Sequence, residues 1–196
     1  MKYKNANDYE LDKVCDLLAE EFNNDPVHEA LFRDPKERVN ILRNYFRIYV
    51  NLARERGGIL LAENNEGALI YFRPNVMETT NESRAMLEQQ IHNVCGPYYG
   101  AVSMYTHALE RYHPRTPLHY YIPLIAVQRS SRGKGVANVL FSALHAMADK
   151  DKYPCYLECT RLSTRTRFMH WGYRDAGPAM RIEGVPKLFP MWRKPQ

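Results

Sequence analysis

The sequence has no long apolar run, its longest being only a few residues, so no segment is expected to span a bilayer. No apolar stretch backs the lysines of Met1-Lys2-Tyr3-Lys4-Asn5, as a secretory signal would require. These absences point to a cytoplasmic protein without a membrane partner. The four cysteines (Cys15, Cys95, Cys155, Cys159) form no CxxC pair and read as reduced thiols. Cys155 and Cys159 share a strand face, but no histidine stands at a spacing that makes a zinc site, so no metal is expected. There is no basic run either: the net charge is +5 and its lysines and arginines are scattered, which argues against a nucleic-acid partner. A local basic patch for an anionic cofactor is a sufficient use of that excess. Repeats, low-complexity tracts and Gly/Ser linkers are also missing, so residues 1–196 read as one domain. Ser130-Ser131 lie outside any GxSxG context, and an acyl-enzyme route is not expected.

What is present is the balance of an ordinary globular domain, 45% hydrophobic and 25% charged. Asn7 is placed to cap a helix over roughly 8–23, with Leu11, Val14, Cys15, Leu18 and Phe22 as its apolar stripe. Pro26 and Pro35 bracket a short turn, a second helix is expected over 36–56, and Gly57-Gly58 should end it. Two apolar runs around Asn64-Asn65-Glu66-Gly67 read as a hairpin. Helices follow over 82–94 and 98–112. Their tyrosines Tyr98, Tyr99, Tyr105 and Tyr112 make residues 76–118 the expected acceptor side, with core packing the plainer use of the same rings. From His119 the pattern becomes strand 119–127, helix 135–149, strand 155–160, helix 164–171 and a final strand pair. A strand–helix–strand crossover makes strands 119–127 and 155–160 parallel. The fold class is therefore α/β or α+β with a mixed sheet. Pro123 cannot donate to a sheet ladder and belongs at a bulge, an edge, a splay point or a simple kink.

The informative segment joins the apolar strand Leu124-Ile125-Ala126-Val127 to a helix through Arg132-Gly133-Lys134-Gly135. Glycines permit close backbone approach, and the first-turn N–H groups have no helical acceptor, which makes an anion site of the helix start. Arg132 and Lys134 add positive charge. A P-loop would need Ser or Thr after Gly133-Lys134, where Gly135 stands. A GxGxxG fingerprint would need a third glycine, where Asn138 stands.

Arg132-Gly133-Lys134-Gly135-Val136-Ala137 is similar to the [Q/R]-x-x-G-x-[G/A] signature of the GNAT (GCN5-related) N-acetyltransferase superfamily. Pro154-Cys155-Tyr156-Leu157-Glu158-Cys159-Thr160 resembles its P-x-x-L-E-T strand, and Phe168-Met169-His170-Trp171-Gly172-Tyr173 its Y-x-x-x-G-[F/Y] segment. Glu21-Phe22-Asn23-Asn24-Asp25-Pro26, Arg38, Tyr45-Phe46 and the ending Met191-Trp192-Arg193-Lys194-Pro195 resemble the branch that includes puromycin N-acetyltransferase. The resemblance implies a six- or seven-stranded mixed sheet with helices on both faces and a splayed central strand pair. It further implies acetyl-CoA as cofactor, its pantetheine arm bonded by Ile125, Ala126 and Val127 and its pyrophosphate held by Arg132, Gly133, Lys134, Gly135, Val136, Ala137 and Asn138. The implied activity is acetyl transfer to a primary amine of a small molecule or peptide by direct attack, and a homodimer is left open. Glu158 is the first candidate base, a pairing with Arg161 or Arg165 being its structural alternative. His119 is the second, with a satisfied structural histidine as its alternative. The sequence departs from the family at Phe168, where a proton-donating tyrosine is usual, and at Thr164, where an asparagine often stands. A non-catalytic acyl-CoA-binding module therefore stays open beside the enzyme.

Overall fold

The computed structural model describes residues 2–74, 76 and 80–196. Part of the expected acceptor segment 76–118, positions 77–79, lies outside the described residues. Seven strands form one mixed sheet in the order β1-β2-β3-β4-β5-β7-β6: β1 (Tyr3–Asn5), β2 (Gly57–Ala62), β3 (Gly67–Phe72), β4 (Tyr120–Val127), β5 (Cys155–Cys159), β6 (Arg174–Asp175) and β7 (Phe189–Arg193). Every pairing is antiparallel except β4 with β5, as the crossover through α6 (Val136–Asp151) demands.

The sheet is covered on both faces. One apolar cluster joins it to α1 (Leu11–Phe22), α3 (Pro35–Arg56), α4 (Asn81–Cys95) and α5 (Tyr99–Tyr112). The other joins it to α6 and to α7 (Leu162–His170). Side chains alternate along β5 accordingly, Cys155, Leu157 and Cys159 entering the second cluster and Tyr156 the first.

Local chemistry explains the element starts. Asn7 and Glu10 form a reciprocal capping box in a one-turn 3₁₀ helix ahead of α1. Three elements depart from expectation. The stretch after Pro26 is a helix, α2 (Pro26–Leu31), capped by Asp25 and opened by a proline at a position where the missing N–H does no harm. Gly57-Gly58 do not merely end α3; they are the first two residues of β2 and pair with Phe72 and Tyr71. β1 was not expected from the sequence at all.

Candidate active site

The site starts from a mismatch in strand pairing. β4 and β5 are joined only at Tyr120↔Cys155 and Tyr121↔Tyr156, after which the two strands run on without partnering each other. Between Tyr121 and Leu124 the β3–β4 register also shifts, three steps on β4 matching two on β3. Pro123 sits inside this bulge, where its missing N–H breaks no ladder. Beyond the bulge β4 stays paired to β3 through Ile125, Ala126 and Val127, so its other edge is open toward β5. The result is a wedge-shaped cavity of about 1050 Å³ with Pro123–Val127 on one wall and Leu157–Cys159 on the other.

One end of the cavity is a cradle for an anion. Gly133 and Gly135 have φ of +81° and +84°, conformations that side chains with a Cβ adopt poorly, and space beside both is open. Val139 N–H is the first to find an acceptor within the turn, Gly135 O at 3.2 Å. The N–H groups of Gly133, Gly135, Val136, Ala137 and Asn138 therefore have no backbone acceptor, and they open onto the cavity with the positive end of the α6 dipole. Arg132 adds a cation at the rim. Its guanidinium pairs with Glu21 of α1, whose Oε1 also accepts from Arg129 N–H at 2.8 Å. Asn138 accepts from the Trp171 indole N–H, which ties the end of α7 to the cradle. Of the residues expected to hold the cofactor, all but Lys134 line the cavity; Lys134 is exposed outside it. Open N–H groups, an unpaired strand edge and a cation at the rim together fit a diphosphate with an extended arm.

Glu158 stands two residues past the last β4–β5 pair, on the cavity wall. Its Oε1 is buried without a hydrogen-bond partner, and so is the Tyr156 hydroxyl. Burial pushes the Glu158 pKa up to about 7, against an opposing pull from the nearby Tyr121 and Tyr156 hydroxyls that stops short of formed bonds. The ion pairs that would have made this carboxylate structural are elsewhere. Arg161 reaches Asp25 and the Asn24 carbonyl, and Arg165 pairs with Asp175.

His119 is not brought to the cavity. It is buried behind Tyr156, its ring 5.0 Å from that of Trp192, and both ring nitrogens are engaged. Nδ1 donates to Pro117 O at 2.9 Å, which leaves Nε2 of the neutral ring as an acceptor for His113 Nε2–H at 3.0 Å. Burial lowers the pKa of both histidines, that of His113 to about 4. Phe168 does lie on the cavity wall, packed edge-on against Phe141 at 5.4 Å and Tyr173 at 5.6 Å; Thr164 lines the same wall.

Sequence reasoning placed the acceptor end on residues 76–118 and missed the part that α1, α2 and α3 contribute. Tyr45 and Tyr49 of α3, Phe22 of α1 and His28 of α2 line this end together with Tyr105 and Leu109 of α5 and Tyr121. Asp25 locks this end to β5: Oδ1 caps α2 at Val27 N–H, and Oδ2 accepts from Thr160 Oγ1 at 2.6 Å. Burial alone would raise the Asp25 pKa, but hydrogen bonds from His28, Thr160 and Val27 outweigh it and hold the carboxylate charged. Asp25-Pro26 carried a legible cap signal; the tyrosines of α3 carried none beyond helical spacing. Of Tyr98, Tyr99, Tyr105 and Tyr112, only Tyr105 lines this cavity.

No protein-family profile and no curated protein sequence matches the chain. Solved structures do. A histone acetyltransferase HPA2 and related acetyltransferase from Corynebacterium glutamicum superposes with a TM-score of 0.71 at 21% identity, covering 100% of this chain and 96% of that one. Arylalkylamine N-acetyltransferase 2 from Aedes aegypti gives a TM-score of 0.60 at 12% identity, covering 100% and 99%. The NatC complex bound to Gag peptide and CoA gives 0.56 at 14% identity, covering 100% of both chains. At such identities the likeness speaks for architecture: the chain adopts the GNAT acetyltransferase fold, with the parallel β4–β5 pair splayed at its centre.

Proposed function

We propose that this chain is an N-acetyltransferase of the GNAT superfamily that moves an acetyl group from acetyl-CoA to a primary amine by direct attack. The observation that carries the reading is Glu158, an unpaired buried carboxylate with a pKa near 7 where β4 and β5 part. The neighbouring cradle supports the cofactor assignment, as does the CoA bound by the NatC structure. In this reading the N–H groups of Gly133, Gly135, Val136, Ala137 and Asn138 and the Arg132 guanidinium hold the pyrophosphate. The open edge of β4 at Ile125, Ala126 and Val127 bonds the pantetheine arm. Acetyl-CoA supplies an activated thioester carbonyl. Glu158 takes the proton of the acceptor ammonium, directly or through water, as the C–N bond forms and the C–S bond breaks. A base with a pKa near the working pH contributes about 10²–10⁴-fold. The leaving thiolate, with a pKa of about 8.5 in a free thiol, departs acceptably without a strong acid, so Phe168 at the usual tyrosine position is compatible with turnover.

The test is thiol release from acetyl-CoA by the purified protein across an amine panel, followed against pH. Turnover should rise with pH through about 7 as Glu158 ionises. The second reading, a non-catalytic acyl-CoA-binding module, is favoured by Phe168, whose ring has no proton to give. It predicts CoA binding with no thiol release for any amine.

A further inference from the structure

We infer that the acceptor end of this cavity selects a primary amine carried on an aromatic or apolar body and excludes amines that also bear a carboxylate or phosphate. The inference rests on the acetyltransferase reading and deepens it. Three observations carry it.

The first is the lining. Beyond Glu158 the wall is formed by Phe22, Tyr45, Tyr49, Tyr105, Leu109 and Tyr121, a largely aromatic band with His28 and Asp25 beside it. Burial drives the pKa values of Tyr45, Tyr105 and Tyr121 well above the ordinary tyrosine value, so these hydroxyls are neutral and the surface is a low-dielectric one. Tyr45 and Tyr49 satisfy each other, hydroxyl to hydroxyl at 3.0 Å.

The second is the charge. The charges of Glu158 and Asp25 act on Tyr105, and that of Glu158 on Tyr121, each raising the hydroxyl's pKa. Of the arginines that line the cavity, Arg129 and Arg132 border the cradle, Arg167 is on α7, and Arg161 stands at this end, where Asp25 and the Asn24 carbonyl hold it. A second anion on the substrate would stand against Glu158 and Asp25, with Arg161 and His28 already engaged by Asp25, which is unfavourable.

The third is how few free acids this end offers among the described residues. Asp25 is a second carboxylate at this end, and His28, Thr160, Val27 N–H and Arg161 already occupy it. A substrate with several ammonium groups finds Glu158, which the reacting amine itself uses, and the solvent-exposed Glu20 of α1. Aromatic faces accommodate the ammonium through cation–π attraction and the apolar body through area burial.

The experiment compares kcat/KM for 2-phenylethylamine, 4-(2-aminoethyl)benzoic acid, the methyl ester of that acid, and spermidine, with acetyl-CoA saturating. The acid and its ester share a ring and an aminoethyl arm, so the carboxylate is the variable. We expect 2-phenylethylamine and the ester to exceed the acid roughly ten-fold or more, and spermidine to trail both. Tyr49→Arg, which places a cation on the wall, should narrow the acid-to-ester gap; should that variant not fold, the ratio in the unmodified protein decides alone. Equal use of acid and ester, or spermidine as the best of the four, overturns the inference while leaving acetyl transfer intact. Release of thiol with none of these amines but with peptide amino termini does the same. Silence with every amine instead overturns the acetyltransferase reading on which the inference stands.

Discussion

Replacing Glu158 with glutamine separates the cost of this carboxylate from its use. Its pKa moves from an ordinary 4.5 to about 7 on folding because of burial. Between those values the unfolded chain has released a proton that the folded chain keeps, so the group lowers stability as pH rises through that window. At about 1.36 kcal/mol per unit the penalty grows from under about 1 kcal/mol at pH 5 to about 3 kcal/mol at pH 8. Glutamine keeps the shape and does not titrate. Glu158→Gln should therefore be more stable than the unmodified chain at pH 8 and little changed at pH 5. For a chain of this size each kcal/mol is worth roughly 2–4 °C, so the pH 8 gain is about 6–12 °C. Thiol release should fall about 10²–10⁴-fold in the same variant. Thermal unfolding at the two pH values, with turnover measured alongside, checks both halves. A stability gain independent of pH, or a variant that retains full turnover, refutes the reasoning.

Three further outcomes follow from individual side chains. His113 and His145 are buried neutral with pKa values lowered to about 4, chiefly by desolvation, so the stability they allow is present above the ordinary value of 6.5 and is lost as pH falls toward 4; urea midpoints should drop across that interval, and His145→Phe should flatten the drop. Glu21 holds both Arg132 and Arg129 N–H, and its charge opposes a diphosphate at the same rim. Glu21→Gln should tighten CoA binding by up to about 5-fold, within the reach of one exposed ion pair, and calorimetry reads the change. Phe168→Tyr places a hydroxyl on the cavity wall, and thiol-release rates equal to or above those of the unmodified chain are expected; a drop in rate with the fold intact would argue against an acid at this position.

Much of this architecture is written locally. The parallel β4–β5 pair follows from the strand–helix–strand pattern, the α6 cradle from Gly133 and Gly135, and the bulge from the one property Pro123 cannot lose. The misses have a common origin in distance or brevity. β1 is three residues long and exists because Tyr3, Lys4 and Asn5 find Ala62, Leu61 and Leu60 across the chain. α2 is one and a half turns, too short for periodicity, although Asp25 and Pro26 are the cap and first residue such a helix needs. Gly57 joins helix to strand directly, a junction in which the same residue reads as a stop signal for one element and serves as the start of the next. In the site, the face of β5 that carries Glu158 follows from alternation, but its lack of an ion pair does not, because the arginines nearby in sequence are drawn off by Asp25 and Asp175. His119, the second candidate, was suited by residue type, and the chain turns it away from the cavity toward His113 and Pro117 O. Glu21 and the α3 tyrosines meet the site only through packing of α1 and α3 against the sheet.

The measurement that bears most directly on the whole account is a calorimetric titration of the protein with CoA, repeated after Gly133→Val and Gly135→Val. Both glycines have positive φ, and a β-branched residue there costs about 1–2 kcal/mol of local strain besides closing the cradle. The account predicts one CoA per chain, bound more weakly at higher salt and lost or much weakened in both variants. Absence of binding by the unmodified protein, or binding that both substitutions leave unchanged, would contradict it.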